Sequence, residues 1–118
     1  METYRIWPRG GGHVHKTATV HQSVAIEAAA IVDAYVTIGE GTNIRVGAKI
    51  KAGVAIDKDC YIGPLVTIDK GAHIDHNAEI GQQSEIGQGA HIFANVVLPV
   101  LTRIPPKAIV TKNYLKKT

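Results

Sequence analysis

The apolar positions of this chain recur every six residues. From Val14 the series runs Val20, Ile26, Val32, Ile38, Ile44, Ile50, Ile56, Ile62, Ile68, Ile74, Ile80, Ile86, Ile92, Leu98, Ile104 and Val110, with no insertion or deletion. Two residues before each aliphatic stands a smaller side chain, as at Ala18, Ala30, Thr42, Ala48, Cys60, Ala72, Ala78, Ser84 and Ala90. A six-residue period fits neither the 3.6 of a helix nor an unbroken alternating strand. It fits a short strand and a tight corner, repeated. Residues two apart on a strand point to the same side, so the small residue and the aliphatic face inward together.

Three residues after each aliphatic comes the corner: Gly41, Gly47, Gly53, Asp59, Gly71, Asn77, Gly89, Asn95 and Asn113. Gly, Asn and Asp tolerate positive φ, so the chain turns there. Ala28, Ala29 and Ala30, and Tyr35, give bulkier corners. Lys49, Lys51, Glu79, Glu85, Gln82 and Gln88 lie between and face water or a partner. Three corners close a triangle of about 18 residues, and the next coil stacks one strand spacing, ~4.8 Å, above it.

The pattern therefore predicts an all-β fold: a single parallel β-helix of about 5–6 triangular coils with no large inserted loops. Residues 1–13 form an N-terminal cap, 14–110 the repeats and 111–118 a short C-terminal tail. In the cap, Tyr4, Ile6 and Trp7 are apolar enough to cover the open end of the first coil. Gly10, Gly11 and Gly12 read as a flexible lead-in.

At 118 residues the chain is one domain. Its charge is uneven. Residues 1–85 hold 8 Lys/Arg and 10 Asp/Glu, whereas 86–118 hold Arg103, Lys107, Lys112, Lys116 and Lys117 and no acid. The net +3 is thus a basic end on a slightly acidic body. That end is either a solvated surface or a site for an anionic ligand. No aromatic residues interleave with the bases, which argues against nucleic acid. No apolar run is long enough for a signal peptide or a membrane span, so no membrane association is expected and a cytoplasmic setting is. Cys60, the only cysteine, occupies an inward small position and reads as a packed thiol. His13 and His15 flank Val14 in one repeat and His21 falls one repeat on, at a different face, so the three read as surface histidines.

The repeat resembles that of the hexapeptide-repeat acyltransferase superfamily over about residues 13–113. The resemblance implies a left hand for the β-helix and a homotrimer with small-molecule sites in clefts between protomers. The segment Ile74-Asp75-His76-Asn77-Ala78-Glu79-Ile80-Gly81 is similar to the catalytic hexad of sugar N-acetyltransferases. By that likeness His76, two after the aliphatic, is the general base on an amine or hydroxyl that attacks a thioester. Imidazole suits the task because it exchanges a proton near neutral pH. The family's orienting carboxylate directly follows the histidine. Here Asn77 stands there, and Glu79 is the acid nearby, so these two are the expected supporting residues.

Residues 96–118 are similar to the closing coil of acetyltransferases, and that likeness implies coenzyme A. Lys107, Lys112, Asn113 and Lys116 are the candidates to hold it. The expected function is acetyl-coenzyme-A-dependent transfer to a small amine or sugar acceptor. A non-catalytic scaffold or ligand-binding protein on the same fold is the alternative. A zinc enzyme like the γ-class carbonic anhydrases ranks third. His73 and His91, 18 residues apart and hence on adjacent coils, are its weak metal candidates, and no metal is expected.

Overall fold

The computed structural model describes residues 3–112, and over them the six-residue period becomes three sheets. The first face stacks Tyr4–Ile6, His13–His15, Ile31–Val32, Lys49–Ile50, Thr67–Ile68, Glu85–Ile86 and Arg103–Ile104. The second stacks Thr19–Val20, Thr37–Ile38, Ala55–Ile56, His73–Ile74, His91–Ile92 and Ile109–Val110. The third stacks Ala25–Ile26, Asn43–Ile44, Tyr61–Ile62, Glu79–Ile80 and Val97–Leu98. Every pairing between strands is parallel except the first, where Tyr4–Ile6 runs antiparallel to His13–His15, and an isolated antiparallel bridge joins Gly11 to Glu27. Paired residues are 18 apart, as in Ile62 with Ile80, so each aliphatic sits directly on its counterpart one coil away. This is an all-β solenoid of the left-handed β-helix type, and no helix is present among the described residues.

The core is the aliphatic series itself. All of its members are buried apart from Val20, which is half-buried. The inward small positions do more than leave room. Thr42 Oγ1 donates to the Asp57 carbonyl (2.7 Å), Cys60 Sγ to the Asp75 carbonyl (3.0 Å) and Ser84 Oγ to the Pro99 carbonyl (3.1 Å). Each bond reaches 15 residues ahead, so a buried hydroxyl or thiol satisfies a corner carbonyl of the next coil.

The corners obey one rule from residue 29 to residue 107. Every sixth residue there is left-handed, with φ between 57° and 75°, and nine of these residues carry side chains. Leu65 and Leu101 sit in this conformation although Gly, Asn or Asp would hold it at less cost. The compensation is a bond between coils. Leu65 N–H donates to the Val46 carbonyl (3.0 Å) and Leu101 N–H to the Gln82 carbonyl (2.9 Å), and the other corners from Gly47 onward repeat that step. The two earlier corners, at Thr17 and Ser23, are not left-handed. There His15 Nδ1 accepts the Thr17 N–H and His21 Nδ1 the Ser23 N–H, each at 3.1 Å. These histidines are committed to turns.

The N-terminal cap differs in detail from the expectation. Trp7 alone enters the core, and its indole N–H donates to the Val24 carbonyl (2.6 Å), while Tyr4 and Ile6 remain exposed on the added strand. The glycine run is not a loose lead-in. Gly12 is buried against Ile26, where a side chain would collide, and its N–H donates to the Ile26 carbonyl (2.8 Å). Gly10 meets the same backbone with φ 117°, a conformation that favours glycine.

Candidate active site

The chemistry-bearing side chains gather on one edge of the prism, the corner joining the second face to the third. Successive coils place there Gly39–Thr42, Asp57–Cys60, Asp75–Ala78 and Phe93–Val96, followed by Thr111 and Lys112. His76 projects from this edge with its side chain about half exposed. Its Nδ1 lies 3.8 Å from Asp57 Oδ2, within ion-pair reach and longer than a hydrogen bond. The carboxylate is aimed by its own turn, since Asp57 Oδ1 accepts the Lys58 N–H at 2.8 Å. Its backbone is fixed from the core side by Thr42. With Nδ1 turned to Asp57, Nε2 is the ring nitrogen free to meet a substrate.

Next to His76 in the chain, Asp75 faces outward and links two further histidines. His73 Nε2 lies 3.1 Å from Asp75 Oδ1, and His91 Nε2 lies 3.1 Å from Asp75 Oδ2. The two imidazoles stack with centroids 4.6 Å apart and planes 2° from parallel, and Phe93 stacks on His91 at 4.3 Å. A shallow groove of about 320 Å³ runs down the second face to this group, lined by Thr19, Thr37, Ala55, Asp57 and His73. A larger groove, about 580 Å³, crosses the first face between Lys51, Asp69, Glu85 and Arg103, away from His76. Its charges are mixed, and the smaller groove is the one that meets the histidines.

Of the residues expected to support His76, Asn77 is the left-handed corner residue (φ 61°), and its N–H donates to the Lys58 carbonyl (3.2 Å). Glu79 stands exposed on the third face, between Tyr61 and Val97. The carboxylate that the fold sets beside the imidazole is Asp57, which the sequence reading passed over. The signal was available: Asp57 lies 18 residues before Asp75 and so one coil beneath it. Asp75 could be found the same way, two residues from His73 on the same outward side of a strand.

The candidates for an anionic ligand separate. Lys112 stands exposed in the same column as His76, 36 residues and two coils on. Lys107 is a left-handed residue (φ 62°) on a different edge, between the first and second faces. Asn113 and Lys116 lie outside the described residues. Cys60 lies behind the site and is 2% exposed. Burial pushes its thiol up to about 11, so it is protonated at neutral pH and serves as the donor to Asp75.

The comparisons agree with this architecture. Residues 59–94, the stretch that holds His73, Asp75, His76 and His91, match the family model described as bacterial transferase hexapeptide (six repeats). No curated relative matches the chain. Among solved structures, the acetyltransferase domain of PglB from Neisseria gonorrhoeae in complex with acetyl coenzyme A is 26% identical, with a TM-score of 0.74 over 83% of this chain and 53% of that one. PerB from Caulobacter crescentus, in complex with CoA and GDP-perosamine, shares the fold at 22% identity, with a TM-score of 0.59 over 86% of this chain and 49% of that one. The chain spans about half the length of these two structures. Repeat and solenoid agree: residues 59–94 carry a hexapeptide repeat, and the described chain has the left-handed β-helix fold that it shares with the PglB acetyltransferase domain.

Proposed function

We propose that this protein is an acyltransferase that moves an acetyl group from acetyl-coenzyme A to a small amine or hydroxyl acceptor, working in clefts between the protomers of a homotrimer. The observation that carries the reading is the placement of His76 against Asp57 on an exposed edge of a fold shared with an acetyl-coenzyme-A-bound acetyltransferase. His76 Nε2 takes the proton from the acceptor as the acceptor's lone pair attacks the thioester carbonyl carbon. The protonated imidazole, steadied by the Asp57 carboxylate, then delivers that proton to the departing thiolate as the C–S bond breaks. Contacts of this kind are commonly loose without substrate and tighten when it binds, so a separation of 3.8 Å suits the resting site.

A half-exposed imidazole on a convex edge needs a second wall. A neighbouring protomer would supply it, and exposed apolar side chains at Ile31, Val97 and Ile109 give the flat faces a reason to pair, with Val46 exposed at a corner. Tyr61, on the third face, is half-buried and accepts a hydrogen bond from Arg45 (3.1 Å). For the phosphates of the donor, Lys112 offers a cation on the edge that carries His76.

The test is thiol release from acetyl-coenzyme A across a panel of amino sugars and simple amines. Turnover with at least one acceptor is expected, falling about a hundredfold or more in His76→Ala without loss of fold. No turnover with any acceptor, together with no binding of coenzyme A at millimolar concentration, would leave a scaffold or ligand-binding protein in its place.

A further inference from the structure

The trio His73, Asp75 and His91, where the second face meets the edge, has no part in the acyl-transfer step proposed above. His73, Asp75 and His91 each offer one ligand atom, and the three atoms lie within 4.8 Å of one another, the one such convergence of His, Cys, Asp and Glu among the described residues. From this geometry we infer that the trio is a binding site for a divalent first-row transition ion such as Zn²⁺, formed within a single protomer. The inference does not rest on the transferase reading.

The donor set suits that ion class, since two imidazoles and one carboxylate hold zinc and its neighbours, whereas calcium and magnesium take oxygen ligands. The site is also built in a graded way. Asp75 is the most sheltered, its side chain 23% exposed, and its backbone is pinned by the Cys60 thiol. His91 is 30% exposed and backed by the Phe93 ring. His73, at 49%, is the free arm.

An ion with metal–nitrogen bonds of about 2.1 Å can span two nitrogens at most about 4.2 Å apart. The three ligand atoms already lie within 4.8 Å of one another, so a small closing movement brings them onto one ion. The exposure of His73 lets it make that movement by side-chain rotation while Asp75 and His91 stay in place. Three protein ligands leave open positions on the solvent side, beside the groove lined by Thr19, Thr37 and Ala55. An ion held there could polarise a carbonyl or activate a water.

The experiment is calorimetric titration of the metal-stripped chain with Zn²⁺, paired with visible absorption of the Co²⁺-loaded chain. One equivalent should bind with micromolar affinity or tighter, and Co²⁺ should give the d–d bands of a nitrogen and oxygen site. His91→Ala and Asp75→Asn should each weaken binding at least tenfold and alter or abolish those bands. His15→Ala and His21→Ala should leave both unchanged. Asp75→Asn keeps the shape of the side chain, and circular dichroism checks that each variant is folded. Absence of Zn²⁺ binding at millimolar concentration would overturn the inference, as would binding that survives both His91→Ala and Asp75→Asn. Because the readout is ion binding, it stands or falls apart from any transferase activity.

Discussion

Ile80 and Glu79 are neighbours on one strand with opposite fates, and truncating each to alanine tests the inward assignment directly. Ile80 is fully buried between Ile62 and Leu98, whereas Glu79 is exposed on the outer face. Ile80→Ala removes three carbon atoms, a loss of roughly 2.4 kcal/mol at about 0.8 kcal/mol per buried methylene. The cavity adds to this, because the coils above and below are held at fixed spacing by backbone hydrogen bonds such as Gly63 N–H to the Ile80 carbonyl (2.9 Å) and cannot close on the gap. A total of about 3–4 kcal/mol follows. Glu79→Ala removes an exposed side chain and should cost ~0.5 kcal/mol or less. Chemical denaturation followed by circular dichroism measures both. Equal costs for the two, or a larger one for Glu79→Ala, would refute the alternation on which every inward and outward assignment here depends.

Cys60 should give stability a pH dependence of definite sign. Its folded-state value, raised by burial from 9.0 to about 11, means that the folded thiol keeps its proton where the unfolded one loses it. The contribution is therefore complete below about pH 9 and is lost as pH rises through about 11. Comparing the alkaline stability profile of the wild type with that of Cys60→Ala isolates this step, and identical slopes would count against it. Lys112→Ala should weaken coenzyme A binding in a salt-dependent way, measured by calorimetry at two ionic strengths. Lys107→Ala, on another edge, should matter less. Sedimentation of the purified chain should give a trimer, and a monomer at micromolar concentration would remove the second wall of the proposed site.

The solenoid was legible in the sequence because its core is strictly periodic. Ile44, Ile62 and Ile80 announce both the strand and its partner, since one period fixes local geometry and stacking together. Corners were readable where Gly, Asn or Asp marks them. They were not where Leu65, Gln83, Leu101 and Lys107 adopt the same left-handed conformation, because there the inter-coil hydrogen bonds, and not the residue type, hold the turn. His76 was chosen by likeness, and a supporting group for it was sought along the chain, at Asn77 and Glu79. In a β-helix the neighbours that matter lie about 18 residues away. Asp57 beside His76, and Asp75 between His73 and His91, are contacts of stacking. They become visible only when the sequence is written in columns of one coil. In the N-terminal cap Trp7 was readable as a cover, but the fit of Gly10 and Gly12 against Ile26 was not, because no period describes that packing.

The central claim is that acyl transfer takes place at His76. A crystal structure of the chain with acetyl-coenzyme A and an acceptor tests it most directly. The account predicts the donor in a cleft between protomers, with the acceptor nitrogen or oxygen within about 2.6–3.2 Å of His76 Nε2, or joined to it through one water. Donor bound instead in the groove of the first face, against Arg103 and Lys51, with His76 facing bulk solvent, would contradict it.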